Sequence, residues 1–245
     1  MVTRTLDWQI ATVKATRQET PNVKTLTLAL PSWTPHRAGQ HYDIRLTAED
    51  GYSAQRSYSV ASEPERAGVI DITVERIGEG EVSPFLDDIA VVGDRFEVRG
   101  PIGGYFVWDA ASGGPLLLVA GGSGVVPLMA MLRHRAASRA NVPARLLYSS
   151  RTFDDVIYRD ELEVLAKDGV GVFHTLTRSQ PAGWTGYTRR IDDRMLAEVA
   201  KPLGRNVLAF VCGPTALVET AADGLERAGL SADRIRTERF GPSGP

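Results

Sequence analysis

The residues of this 245-residue chain that could do chemistry fall at three strand-to-helix junctions, in one short strand and at one glycine turn. Gly121-Gly-Ser-Gly124-Val-Val-Pro127 follows an apolar run and opens a helical segment. Glycines at such a turn let the backbone approach a phosphate, and the helix start offers N–H groups and the positive end of a dipole. Pro127 stands where a GxGxxG loop has its third glycine, and no Gly-Lys-Ser/Thr follows, so neither that fingerprint nor a P-loop is present. On this segment alone, a phosphate cradle and a tight turn without a ligand both remain open.

The second junction is Tyr148-Ser-Ser150-Arg151. An acidic residue here would accept from the ribose 2′-hydroxyl of NAD, whereas a guanidinium meets a 2′-phosphate, so Ser150 and Arg151 favour NADP. The alternative is a surface arginine that merely follows a strand. Asp154 and Asp155 come next, in what reads as the loop capping the following helix. The third junction, Val211-Cys212-Gly213-Pro214, puts a thiol at another strand's carboxyl end, where it is either a site residue or a small buried hydrophobe. In Arg56-Ser57-Tyr58-Ser59, strand alternation sends Arg56 and Tyr58 to one face and Ser59 to the other. A guanidinium beside an aromatic ring suits a phosphate attached to a flat heterocycle, and also suits a plain polar strand face. Gly80-Glu-Val-Ser83 is a glycine turn entering a helix, with Ser83 as a phosphate contact or simply an N-cap.

Two kinds of element must position these groups. Up to Trp108 the pattern is alternating: Val23–Leu30, Tyr42–Leu46, Ile70–Val74 and Phe96–Arg99 read as strands separated by Gly and Pro turns. Such strands fit an antiparallel sheet closing into a small barrel, with one helix at Val82–Ile89. After a small-residue linker, Asp109–Gly114, the rhythm is βαβ. Strands are expected at Leu116–Ala120, Arg145–Tyr148, Val170–Thr177 and Val207–Val211. Helices are expected at Val125–Arg135, Tyr158–Ala166, Ile191–Val199 and Thr215–Ala228. The result is a doubly wound parallel sheet with ligands at its carboxyl edge. The expected domains are 1–108 and 109–245.

Composition narrows the classes. A net charge of −2 argues against a nucleic-acid or anionic-membrane binder. No apolar run has the length of a membrane span, and the N-terminus has no basic-then-apolar signal pattern, so a cytoplasmic protein is expected. A single cysteine, Cys212, excludes an internal disulfide, a cysteine-ligated iron–sulfur cluster and a CxxC zinc site within this sequence. His36, His41, His134 and His174 have no ligand spacing and read as surface or barrel positions, so no metal is expected.

Taken in order, Arg56-Ser-Tyr-Ser59, Gly80-Glu-Val-Ser83, Gly100-Pro-Ile-Gly103, Gly122-Ser-Gly124-Val-Val-Pro127, Cys212-Gly-Pro214 and Glu238-Arg-Phe240 resemble the motifs of the ferredoxin–NADP reductase-like flavoproteins. The resemblance covers nearly the whole chain. It implies an N-terminal antiparallel β-barrel flavin domain and a C-terminal α/β Rossmann-like domain with a doubly wound parallel sheet, binding FAD and NADP. By resemblance, Arg56 meets the flavin phosphates, with Ser57 beside it; Tyr58 stacks on the isoalloxazine, and Ser59 bonds near flavin N5. Val74 lines the flavin's edge, and Gly80, Val82 and Ser83 hold the diphosphate. Gly122 and Gly124 carry the NADP diphosphate, while Ser150, Arg151 and Tyr158 take the 2′-phosphate and adenine. Cys212 and Gly213 lie by the nicotinamide, Glu238 lies near the reacting centre, and Ser59, Cys212 and Glu238 form the catalytic set. Phe240 is the nearest counterpart of the aromatic residue that covers the flavin in plant-type members, although Gly241-Pro-Ser-Gly-Pro245 follows it here. The implied activity is transfer of hydride from NADPH to FAD, with electrons leaving to a separate ferredoxin or haem/oxygenase partner. The alternative is a flavin-binding relay subunit that uses no pyridine nucleotide. A flavin-free dehydrogenase is disfavoured, because no acid–base pair stands out. Arg189, Arg190, Arg194, Arg234, Arg236 and Arg239 are either a docking face for an acidic partner or ordinary solvated charges.

Overall fold

The computed structural model describes residues 6–78 and 80–241; the first five residues, where the signal pattern was sought, and the tail 242–245 lie outside the described residues. The chain forms two compact units. One takes in the described residues up to Trp108 together with Met129–Ala137, and the other takes in Asp109–Leu128 and the described residues from Ser138 onward.

The first unit is an antiparallel sheet of six strands: β1 (Gln9–Thr20), β2 (Val23–Ala29), β3 (His41–Thr47), β4 (Ser53–Ser59), β5 (Val69–Glu75) and β6 (Arg95–Ile102). Their spatial order is β4-β3-β6-β1-β2-β5. A bridge between Val60, just past β4, and Ile72 of β5 brings the two edges together at one end. Inward residues such as Leu26, Leu28, Ile44, Ile70, Ile72 and Val98 fill the barrel. The chain at Val82–Ile89 forms one α-turn, α1 (Val82–Pro84), and then a wider π-turn, Phe85–Ile89, closed by the Ala90 N–H on the Phe85 carbonyl. The helical segment expected at Val82–Ile89 is thus present with those bounds, its second part wound as a π-turn. This segment sends Val82 and Leu86 into the same core.

The second unit is a five-stranded parallel sheet of order β11-β10-β7-β8-β9. Its strands are β7 (Leu116–Gly121), β8 (Ala144–Ser150), β9 (Gly171–Leu176), β10 (Leu208–Pro214) and β11 (Ile235–Phe240). Its helices are the first turn of α2 (Val125–Ala137), whose residues from Met129 on belong to the first unit, and α3 (Arg159–Lys167), α4 (Asp193–Ala200) and α5 (Thr215–Arg227). Every residue of β7 is buried, as the continuous apolar run requires of a strand covered on both faces. The linker expected at Asp109–Gly114 is one 3₁₀ turn, started by the Asp109 carboxylate accepting from the Ala111 N–H.

Two strands, β1 and β11, were not expected. In β1 the inward positions are Ala11 and Val13, and shifts of register after Val13 and Gln18 break the alternation. Strand β11, Ile-Arg-Thr-Glu-Arg-Phe, has apolar residues only at its ends, because it is an edge strand pairing with β10 alone.

Candidate functional site

In the barrel unit the candidate residues run along β4, an edge strand. Arg56 is exposed, and its one hydrogen bond among the described residues goes to the Gln55 carbonyl at 2.7 Å. No carboxylate among the described residues holds the guanidinium, which leaves it open to an anion. Tyr58 is half-buried against the barrel core, and burial pushes its hydroxyl up to about 12, so the phenol is neutral at physiological pH. Ser59 lies opposite His41 in the β3–β4 register, and its hydroxyl has no partner among the described residues.

At four of the expected contact positions the fold occupies the side chain. The Ser57 hydroxyl donates to Asp43 at 2.6 Å, and Arg99 donates to the same carboxylate at 2.7 Å. Burial alone would raise Asp43, yet these bonds and the Arg99 charge hold its carboxyl below the ordinary range. Ser57 is thus committed to supporting the strand. Val74 and Val82 are core residues whose side chains have no surface to offer a ligand. Ser83 is no N-cap: its hydroxyl lies inside the turn and accepts from the Ile77 N–H at 3.1 Å. What Gly80–Ser83 can present is backbone. The Gly80 N–H closes the turn on the Ile77 carbonyl at 2.9 Å, and a Cβ on Gly80 would come within 3.1 Å of Ser83 Oγ.

In the parallel-sheet unit the candidate groups collect at the carboxyl ends of the strands. Gly122 takes φ +54°, and a 3₁₀ turn, Gly122–Gly124, leads into α2. A Cβ on Gly124 would overlap the Cys212 carbonyl and come within 2.8 Å of the Gly213 nitrogen. Glycine here therefore serves the close approach of this turn to the end of β10 as well as any approach by phosphate. The N–H groups at the start of the thirteen-residue α2 complete an anion-binding geometry.

Ser150 is 5% exposed, and its buried hydroxyl has no hydrogen-bond partner among the described residues. Arg151 is exposed, and its carbonyl accepts from the Arg178 N–H at 2.8 Å. Arg178 is exposed as well, and neither guanidinium has a carboxylate partner among the described residues. Two free cations thus stand at the ends of neighbouring strands, beside an unsatisfied hydroxyl. Asp155 is occupied by a capping box, accepting from Thr152 N–H at 3.0 Å and Thr152 Oγ1 at 2.8 Å. It caps the single turn Phe153–Asp155, ahead of α3.

Tyr158 is 3% exposed, in the left-handed region at φ +59° just before α3. The half-exposed rings nearby are Phe153 and Trp184, edge to face with centroids 5.9 Å apart, and the Arg159 guanidinium stands 5.1 Å over Phe153. Phe153, Trp184 and Arg178 were missed. Arg178 was within reach of the positional rule that found Arg151, since it too follows a strand; the aromatic pair forms only through tertiary folding.

Cys212 and Glu238 face each other in the β10–β11 register. Cys212 is 2% exposed, and burial, with a smaller push from the Glu238 charge, lifts its thiol well above the usual range, so it stays protonated. Burial also pushes the Glu238 carboxyl up to about 7, and its Oε2 has no hydrogen-bond partner among the described residues. Phe240 is half-buried opposite Pro214 at the end of β11.

Most of the candidate docking arginines have internal partners. Arg189 pairs with Asp192, Arg194 with Glu198 and Arg239 with Glu219. Arg234 donates to the Val207 and Asn206 carbonyls, and Arg236 stands over Phe210. The histidines are not surface residues either: His36 and His134 are buried, while His41 and His174 are half-buried.

Residues 10–107 match the oxidoreductase FAD-binding domain and residues 118–223 the oxidoreductase NAD-binding domain. The chain is 35% identical over 212 residues to ferredoxin–NADP reductase B of Sorangium cellulosum (strain So ce56), covering 83% of this chain and 84% of that protein. It is 32% identical over 214 residues to the glycine betaine monooxygenase reductase subunit of Pseudomonas aeruginosa (strain UCBPP-PA14), covering 85% of this chain. The chain spans only 57% of that relative's length. The flavohem-like FAD/NAD binding domain of nitric oxide dioxygenase from Vibrio cholerae O1 biovar El Tor superposes with a TM-score of 0.84, covering 96% of this chain and 99% of that one. At 22% identity this likeness speaks to the fold alone.

Proposed function

This chain belongs to the ferredoxin reductase-like flavoproteins, FAD-dependent oxidoreductases that use a pyridine nucleotide, and on that premise we propose that it is an NADPH-specific reductase serving a separate electron acceptor. The observation that carries the nucleotide preference is the pair of unpartnered guanidinium groups, Arg151 and Arg178, joined through their backbones beside the unsatisfied hydroxyl of Ser150. A 2′-phosphate supplies the negative charge and acceptor oxygens that these donors lack; a 2′-hydroxyl does not.

Bound FAD supplies the redox chemistry, accepting hydride from the reduced nucleotide and passing electrons onward. The residues of the chain bind, orient and manage protons. Arg56 would hold the flavin phosphates together with backbone N–H groups of Gly80–Ser83, Tyr58 would lie against the ring, and Ser59 would offer its free hydroxyl. Gly122 and Gly124 would carry the nucleotide diphosphate, and Phe153 with Trp184 would take the adenine in place of Tyr158. Cys212 and Gly213 would face the nicotinamide. Glu238 can take up or release a proton at Oε2 near neutral pH, because its carboxyl titrates at about 7. We place the reaction in the cytoplasm, in keeping with the lone reduced cysteine; among the described residues no helix is long and apolar enough to cross a membrane.

The acceptor is proposed to be a ferredoxin or a haem/oxygenase component, as the names of the two curated relatives suggest. With one cysteine, this sequence cannot ligate an iron–sulfur cluster through cysteines to act as that acceptor itself. The match to an NAD-binding domain speaks against a relay subunit that uses no nucleotide. Steady-state kinetics of Arg151→Ala and Arg178→Ala test the preference. Each should raise the KM for NADPH about 10- to 100-fold, the size of a lost charge-assisted hydrogen bond, and leave NADH nearly unaffected. Equal losses with both nucleotides would remove the case for NADP.

A further inference from the structure

Strand β4 lies at the edge of its sheet, with β3 along one side. Past Ser59 the chain turns toward β5: Val60 bridges Ile72, and the Ala61 N–H donates to the Asp71 carbonyl at 2.8 Å. The Asp71 N–H donates in return to the Ser62 hydroxyl at 3.0 Å. Ala61 and Ser62 are fully buried, so their carbonyls need donors, and side chains supply them. The Arg133 guanidinium of α2 donates to the Ala61 carbonyl at 2.7 Å. His36 Nε2 donates to the Ser62 carbonyl at 3.0 Å, since a carbonyl can only accept. Three residues on, Glu65 accepts from His134 Nδ1 of α2 at 2.7 Å. His134 is buried, and its ring stands edge-on to Trp108 with centroids 5.4 Å apart. The half of α2 that carries both residues, Met129–Ala137, belongs to the barrel unit. It packs closely there: a Cβ on Gly39, two residues before β3, would come within 3.0 Å of Met131 Cε.

We propose that Arg133 and His134 are positioning residues for the flavin: by holding Ala61 and Glu65 they fix the end of β4, and with it Tyr58 and Ser59. The inference rests on the reading that Arg56–Ser59 meets bound flavin. An edge strand has a neighbour along one side, so anchors just past its end set where that end lies. Ala61 follows Ser59 by two residues, about 7 Å of strand, which leaves little slack between anchor and motif. The reaction needs such anchoring. Hydride transfer requires reacting atoms about 3–3.5 Å apart and aligned, and a displacement of about 1 Å can cost about 100-fold in rate. Arg56 would hold phosphates by charge through a shift of that size. Tyr58 and Ser59, which would meet the ring itself, would carry the ring with them.

The test is anaerobic stopped-flow reduction of the full-length holoprotein by NADPH, reading the limiting rate and the half-saturating NADPH concentration separately. Glu65→Ala removes the acceptor of His134 at an exposed position, and Glu65→Gln keeps an acceptor there. Arg133→Met removes the donor to Ala61 and keeps an apolar stem. Glu65→Ala and Arg133→Met should each slow the limiting rate about tenfold, the size of a lost hydrogen bond to a charged group. Half-saturation should hold, the flavin's visible absorption band should shift, and Glu65→Gln should restore both rate and band. Weaker FAD retention in Glu65→Ala, restored in Glu65→Gln, also supports the inference. A lower Tm with rate and band unchanged overturns it, because the contacts then serve stability alone. A raised half-saturation at unchanged rate overturns it too, since the effect would then lie at the nucleotide. If Arg133→Met does not fold, the two Glu65 variants decide. Rapid reduction of wild type beside unaffected variants removes this inference alone, whereas wild type without bound flavin removes the flavin reading as well.

Discussion

The two units offer their candidate residues in different ways. In the barrel, the site runs along the middle of a strand, where every second side chain belongs to the interior or to a supporting network. Ser57, Val74, Val82 and Ser83 are all absorbed by the fold, which leaves Arg56, Tyr58, Ser59 and backbone to meet a ligand. In the parallel sheet, the site lies where strands end, and residues there have little packing to do. Arg151 and Arg178 keep their guanidinium groups unpaired among the described residues for that reason. A motif inside a strand must be halved before it is read as chemistry, whereas a motif just past a strand can be read nearly whole.

The contrast can be broken by mutation. Arg56→Ala should give the largest effect: loss of the one free cation on β4 should weaken FAD binding by up to about 100-fold, measured by flavin retention on the folded protein. A small loss would mean that backbone alone holds the phosphates. Glu238 gives the parallel sheet's counterpart, read by pH. Folding raises its pKa from 4.5 to about 7, so the folded state keeps a proton that the unfolded chain has released. The resulting stability is fully present below about 4.5 and is lost as pH rises through about 7, by at most about 3 kcal/mol. Glu238→Gln should flatten that limb of the unfolding curve, and an unchanged limb would show that another group causes it. Ser57→Ala should have the smallest effect on flavin: affinity should hold, while stability falls by about 1–3 kcal/mol as Asp43 loses a donor. Weaker FAD binding with stability intact would restore Ser57 as a ligand residue.

The same contrast explains what was legible in the sequence. The apolar runs of β7 and β10 and the glycines beside them carry their own signal, because burial on both faces and close backbone approach each demand particular residue types. Strand β1 was hidden by its exposed polar stretch after Val13 and by its register shifts, and β11 by the polar side chains of an edge strand. The burial of Tyr158 was not legible from its position next to α3, because the left-handed turn and the packing around it decide it. Arg178 needed only the rule already used for Arg151. The pairing of Phe153 with Trp184 and the role of Asp43 beneath Ser57 join segments far apart in sequence, so no local pattern could show them.

The most direct measurement is anaerobic stopped-flow mixing of the purified yellow protein with NADPH and, separately, with NADH. The account predicts rapid bleaching of the flavin by NADPH and far slower bleaching by NADH. Equal rates would contradict the assignment of Arg151 and Arg178 to a 2′-phosphate, and no rapid bleaching by either would contradict the reductase itself.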